Sequence, residues 1–346
     1  GSDEPLALPS WRLFGLPTTT PTMRDRVVSF LWNTRTRRPR LPWRLVSVFV
    51  VLAVLSLVVG LGGSLLGGSL ATALGLVVPA AQATLVAGNA LFATTQLVGF
   101  VGAVYLTGRF VDRRWFRDFG LDVDRDWWAD LGFGLVLGAA LMTGIFLVEL
   151  AAGWVAVTGT LRIEAASFPF WPWFGWAVVT FVGVGITEEL LARGYLIKNL
   201  AEGLTWFDRV GPAGAVGLAV AASALVFGFG HASNPNASLA STTGIVVAAV
   251  MLAAGYVLTG ELAIPIGVHV TWNLFQGPVY GFPVSGLDFG LSVVAITQRG
   301  PALATGGSFG PEAGLVGVAA SLVGTALVAG WVRWREPSEP WGRSSG

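Results

Sequence analysis

Long apolar runs separated by short polar connections dominate the chain. No Lys, Arg, Asp or Glu occurs from Leu45 to Gly108, from Leu131 to Val148, from Ala165 to Thr187 or from Val210 to Gly260. About 20 mainly apolar residues cross a bilayer as a helix. The runs therefore predict helical spans near 45–67, 85–107, 130–153, 170–192, 213–232, 241–259, 262–280 and 313–333. The fold class expected is an all-α, polytopic transmembrane bundle of about eight spans in the cell membrane, with the lipid bilayer as its partner. Gly- and Ala-rich faces within the runs suit close helix packing in lipid. The first run, starting near Leu45, is too long for the apolar region of a secretory signal.

The arginines orient these spans. Seven precede Arg44, and the 108–130 connection holds Arg109, Arg113, Arg114, Arg117 and Arg125. Arg193, Lys198 and Arg209 follow the fourth predicted span, and Arg333, Arg335 and Arg343 follow the last. The intervening connections hold only Arg162 and Arg299. Basic residues accumulate on the cytoplasmic side, so both termini are expected there. Trp127, Trp128, Trp171, Trp173, Trp331 and Trp334 fall near span ends, where an interfacial aromatic belt would lie. The organisation expected is a polar basic tail over 1–43, N-terminal spans over 44–160, a core carrying the chemistry over 161–282, and a last connection, span and tail over 283–346.

Composition narrows the chemistry. The chain is 53% hydrophobic and 12% charged, against about 25% charged in a soluble domain. A net charge of +1 and the lack of a basic, aromatic-laced patch give no sign of nucleic acid binding. With no cysteine there is no disulfide, thiolate nucleophile or iron–sulfur cluster. The use of Arg over Lys, with one lysine in the chain, fits a GC-rich prokaryotic genome.

Against that apolar background three polar clusters stand out. In the first, Glu188 and Glu189 are followed by Arg193. Glu189 and Arg193, four apart on a helix, are placed to form an ion pair. Glu188 is rotated by about 100° from Glu189 and is free to face a cavity. The second cluster is Phe227 with His231, and the third is His269 with Asn273; these are the only two histidines in the chain. Ionisable groups inside a membrane segment are costly and mark functional sites. A carboxylate beside a neutral imidazole can hold and deprotonate a water, while a second imidazole and a carboxamide can donate to an oxyanion. Asn89 and Gln96 read as interhelical hydrogen-bonders, Glu149 as a residue near an interface, and Asp288 as a turn residue. No Gly-x-Ser-Gly or Gly-x-Gly-Asp motif is present.

Glu-Glu-x-x-x-Arg, Phe-x-x-x-His and His-x-x-x-Asn, in that order on successive spans, resemble the CPBP (Abi) family of intramembrane proteases. That family includes the type II CAAX prenyl endopeptidases and bacteriocin-processing relatives. The resemblance covers roughly 165–280 and implies peptide-bond hydrolysis in a membrane-presented peptide or protein. It implies that Glu188 and His231 activate water, that His269 and Asn273 stabilise the oxyanion, and that Glu189, Arg193 and Phe227 support the site. Glu188, His231 and His269 are also a possible Zn2+ ligand set, but no His-Glu-x-x-His helix is present and metal-independent hydrolysis is favoured. The alternatives are a transporter or proton/cation pathway using the same buried Glu and His, and a non-catalytic scaffold or immunity protein. One geometric difficulty stands. If the fifth span starts near Ala213, His231 lies at its far end, whereas Glu188 and His269 fall in the cytoplasmic half of theirs.

Overall fold

The apolar runs fold as helices. The computed structural model describes residues 32–33, 37–73, 95–164, 169–207 and 209–335. Helix α1 spans Leu41–Ala73. Helix α2, Gly102–Leu106, is flanked by π-helical turns over Thr95–Val101 and Thr107–Asp112. Then come α3 (Arg125–Ala151), α4 (Phe170–Leu204), α5 (Pro212–Gly230) and α6 (Leu239–Thr259). Helix α7 (Ala263–Leu274) runs on as a π-helical turn to Val279, and α8 spans Leu315–Arg335. Among the described residues, six helices are long and apolar enough to cross a membrane: α1, α3, α4, α5, α6 and α8. The chain is a multi-pass membrane protein. The second predicted span enters the described residues only at Thr95. Asn89, the side chain of Gln96 and most of the two tails lie outside them.

Local chemistry sets the helix ends. The Asp124 carboxylate accepts the Trp127 N–H at 2.8 Å and caps α3. Ser238 and Ser241 bond reciprocally at the start of α6. Pro212 occupies the first turn of α5, where its missing N–H costs nothing. Gly260, at φ 78°, ends α6 in the left-handed region. Helix α1 turns Val46, Val50, Val54 and Leu57 outward, as a lipid-facing helix must.

The core is a set of close helix contacts around α7. A Cβ on Gly134 of α3 would lie 2.5 Å from the Ile264 carbonyl oxygen, and one on Gly267 would lie 2.6 Å from that of Leu131. Only glycine permits this approach, and it fixes the helix that carries His269. Below the opposite end of α4, Arg44 donates to Asn199 at 2.6 Å and to Glu202 at 3.0 Å. Asn199 donates to Asp112 at 3.0 Å, and Arg114 pairs with Glu202. These buried bonds tie α1 and the 112–114 turn to the end of α4.

Two features differ from the sequence-based expectation. First, the fold is mostly but not purely helical. Strand β1 (Val155–Ile163) pairs antiparallel with β2 (Leu291–Gln298), in a register from Val155 opposite Gln298 to Ile163 opposite Leu291. Both segments fall in stretches expected to be connections. The sheet packs Val155, Val294 and Ile296 against Phe146, Tyr280 and Phe282. Second, α4 does not stop near residue 192. It continues through Arg193, which is 1% exposed, to Leu204. Arg193 is therefore a buried helix residue and not part of a connection, because Glu189 one turn earlier neutralises it.

Candidate active site

The extension of α4 removes the depth difficulty. Glu188 lies 16 residues before Leu204, about 24 Å along the axis, and His231 lies 19 residues after Pro212, about 29 Å along α5. The two antiparallel helices therefore carry these residues to within one helical turn of the same level. His231 is the residue that ends α5. Glu188, His231, His269 and Asn273 all line one cavity of about 420 Å³, and Phe227 lines it with them. The remaining wall is largely apolar.

Glu189 is fully buried and its Oε1 accepts two donors. Arg193 donates to it at 2.9 Å, and His269 donates through Nδ1 at 2.6 Å. Arg193 also donates to the Ala249 carbonyl at 3.2 Å, fixing α4 to α6. Its guanidinium sits 4.4 Å above the Phe227 ring, and that ring lies 4.8 Å from the His231 ring and 6.1 Å from the His269 ring. A buried ion pair is stable only when its remaining hydrogen-bonding capacity is met, and here α6 and α7 supply much of what is needed. Helical spacing pairs Glu189 with Arg193 but gives no sign of the bond to His269, which spans 80 residues.

The two imidazoles are held differently. His231 Nδ1 lies 2.8 Å from the Phe227 carbonyl. A carbonyl only accepts, so Nδ1 bears the proton, and in the neutral ring Nε2 keeps a lone pair. His269 has its Nδ1 on Glu189, and its Nε2 lies 3.9 Å from Glu188 Oε2. That Glu188 oxygen is buried without a hydrogen-bond partner among the described residues. No hydrogen bond joins Glu188 to His231 among the described residues, and Asn273 directs no side-chain hydrogen bond to them. Among the described residues no three His, Cys, Asp or Glu side chains converge closely enough to hold a metal ion.

Other polar groups reach the same cavity from outside the predicted clusters. Asn234, Ser285 and Glu312 line it. No motif marks them, and their convergence exists only in the tertiary structure. Glu149 does not line the cavity; it is fully buried and accepts from Gln298 at 3.3 Å. Asp288 accepts the Gly290 N–H at 2.9 Å, as a turn residue does, and also pairs with Arg162.

The architecture is thus that of a polytopic membrane protein with a carboxylate, two imidazoles and a carboxamide around one cavity. Residues 169–275 match the family model for Rce1-like proteins, described as type II CAAX prenyl endopeptidase Rce1-like. The chain carries an Rce1-like domain, consistent with a protease of the CPBP family, and all seven residues of the three motifs lie inside it. No curated protein and no solved structure matches the chain.

Proposed function

We propose that this protein is an intramembrane endopeptidase that hydrolyses a peptide bond with a water activated by Glu188 and His231. The observation that carries this reading is the meeting of both histidines, Glu188 and Asn273 in one cavity. Glu188 Oε2, buried without a hydrogen-bond partner among the described residues, takes a proton from the water as its oxygen bonds to the carbonyl carbon, and returns that proton to the amine nitrogen as the C–N bond breaks. His231 Nε2 supplies a second acceptor that orients the same water. The carbonyl under attack develops negative charge facing His269 Nε2 and the Asn273 carboxamide, which donate to it. The His269 ring hydrogen-bonds Glu189 through Nδ1–H, so in this scheme it donates from Nε2 as the imidazolium. Glu189 and Arg193 are supporting groups in this scheme. Phe227 positions His231 through its carbonyl. No step is routed through a metal, since the carboxylate and imidazoles as placed do not close a ligand shell.

Eight crossings with both termini in the cytoplasm fit the arginine alternation. The six long helices would be joined by the 95–112 helical segment and by α7 with its π-helical extension. The substrate in this reading is a membrane-presented peptide or protein. A transporter or ion pathway is less well supported, because the polar groups face a mainly apolar cavity.

Replacing Glu188 with Ala is expected to abolish cleavage while the protein stays folded in detergent. The check compares membrane peptides between cells carrying wild type and Glu188→Ala, then assays purified protein with and without a zinc chelator. Equal peptide profiles would sink the catalytic assignment, and loss of activity on chelation would replace the metal-free scheme.

A further inference from the structure

A second polar assembly closes the cavity beyond the family match, and it rests on Glu312. This carboxylate sits in a single 3-10 turn, Pro311–Ala313, just ahead of α8, and is 6% exposed. Its Oε1 accepts the Ser285 backbone N–H at 2.5 Å and the Ser285 hydroxyl at 3.2 Å. Its Oε2 accepts from Gln276 Nε2, which also donates to the Pro283 carbonyl at 2.5 Å. Ser285 is held in the left-handed region at φ 47°, a conformation a non-glycine residue keeps only when its surroundings impose it. Gly286 follows at φ 85°, its N–H bonded to the Phe309 carbonyl at 2.6 Å. A Cβ at Gly286 would collide with the Pro235 carbonyl oxygen.

The other side of this turn is joined to His231. The Ser285 carbonyl accepts from Asn234 Nδ2 at 2.9 Å. The Asn234 N–H in turn donates to the His231 carbonyl at 3.1 Å, closing the turn that leaves α5. Asn236 adds a weaker tie to the Ser308 carbonyl at 3.3 Å. His231 caps the C-terminal end of α5 and has no helix beyond it. Beyond it the chain is held by the turn, which Asn234 ties to the Ser285 carbonyl and Asn236 to the Ser308 carbonyl.

We propose that Glu312 is a positioning residue of the hydrolytic site, holding the turn that carries His231 against the cavity through Ser285 and Asn234. This rests on the reading of His231 as the water-orienting imidazole. It also makes the 281–314 connection part of the working site, although that connection lies outside the Rce1-like match. Misplacing a reacting group by about 1 Å costs up to about 100-fold in rate, so the tie has a measurable effect.

The two-histidine composition provides the test. The full chain, with ring-15N histidine and in lipid nanodiscs, contains two imidazole spin systems, assigned with His269→Gln. Glu312→Ala and Asn234→Ala are each expected to shift the His231 ring signals and to leave those of His269 in place. Glu312→Gln is expected to restore His231, because its carbonyl still accepts from Ser285; the Gln276 amide then turns its Oε1 toward the new amide N–H and gives up its bond to the Pro283 carbonyl. The double variant Glu312→Ala, Asn234→Ala is expected to move His231 no further than either single change, as members of one chain of contacts do. Should Glu312→Ala fail to fold, Asn234→Ala and Glu312→Gln carry the comparison. Unmoved His231 signals in the variants overturn the proposal, and so do equal shifts of both rings. Wild-type protein that cleaves no membrane peptide while the His231 shifts occur as expected would overturn the hydrolytic reading and leave the tie standing.

Discussion

Glu188 and Glu189 are adjacent in sequence and opposite in environment. Glu189 accepts from Arg193 and His269 through Oε1, whereas Glu188 accepts no hydrogen bond among the described residues. Their substitutions should therefore separate. Arg193→Ala leaves the Glu189 charge buried with one partner fewer and is expected to lower stability by about 3–5 kcal/mol, measured by thermal or denaturant unfolding in detergent. Glu188→Ala removes only the 3.9 Å contact with His269 Nε2, strands no hydrogen-bond donor, and is expected to leave the unfolding transition near that of wild type. The residue types of the site are legible in the sequence. Carboxylates, histidines and an arginine are so rare in these apolar runs that each demands an explanation. Bonds between distant positions, His269 to Glu189 and Ser285 to Glu312, are not legible there, because nothing local encodes them.

At the scale of elements, apolar run length locates helix bodies well and charge locates their ends poorly. The span end expected near residue 192 falls at the first basic residue after the apolar run, yet Arg193 lies inside α4, where Glu189 neutralises it, and the helix runs on to Leu204. The β1–β2 pair escapes sequence reasoning for another reason. Val155–Ile163 and Leu291–Gln298 lie more than 120 residues apart, and strand pairing at that separation leaves no periodic signal in either connection. The turn between α6 and α7 carries its own testable chemistry. Burial pushes the Glu261 carboxyl up to about 7, aided by the charges of Asp122 and Asp124 and opposed by the Asp122 N–H. A carboxyl held above its unfolded value favours the folded state fully below about pH 4.5, and that contribution is lost as pH rises through about 7. Glu261→Gln should therefore flatten the fall in melting temperature between pH 5 and pH 8. An unchanged pH dependence would show that Glu261 does not titrate in that window.

For the whole molecule, the strongest constraint on the topology is its orientation in the bilayer. The chain has no cysteine, so single cysteines can be introduced without first removing any. Cysteines at residue 122, between α2 and α3, and at residue 261, between α6 and α7, should react with an impermeant thiol reagent from the cytoplasmic side. One at residue 161 in β1 should react from the other. Labelling of residues 122 and 161 from the same side would refute the alternation drawn from the arginines.

Helix α4 has 35 residues, about 52 Å of length, and Glu188 stands near its middle. In the proposed reaction, a peptide bond cut at that level must arrive with its carbonyl uncommitted. In a membrane-spanning helix every carbonyl is already hydrogen-bonded within the helix, so an intact helix presents nothing to attack. Candidate substrates are then segments whose backbone is already released at that depth: a chain end, or a stretch broken by glycine or proline. Backbone disorder in the substrate, more than its side-chain sequence, becomes the property to sort for when searching the membrane peptides of the host.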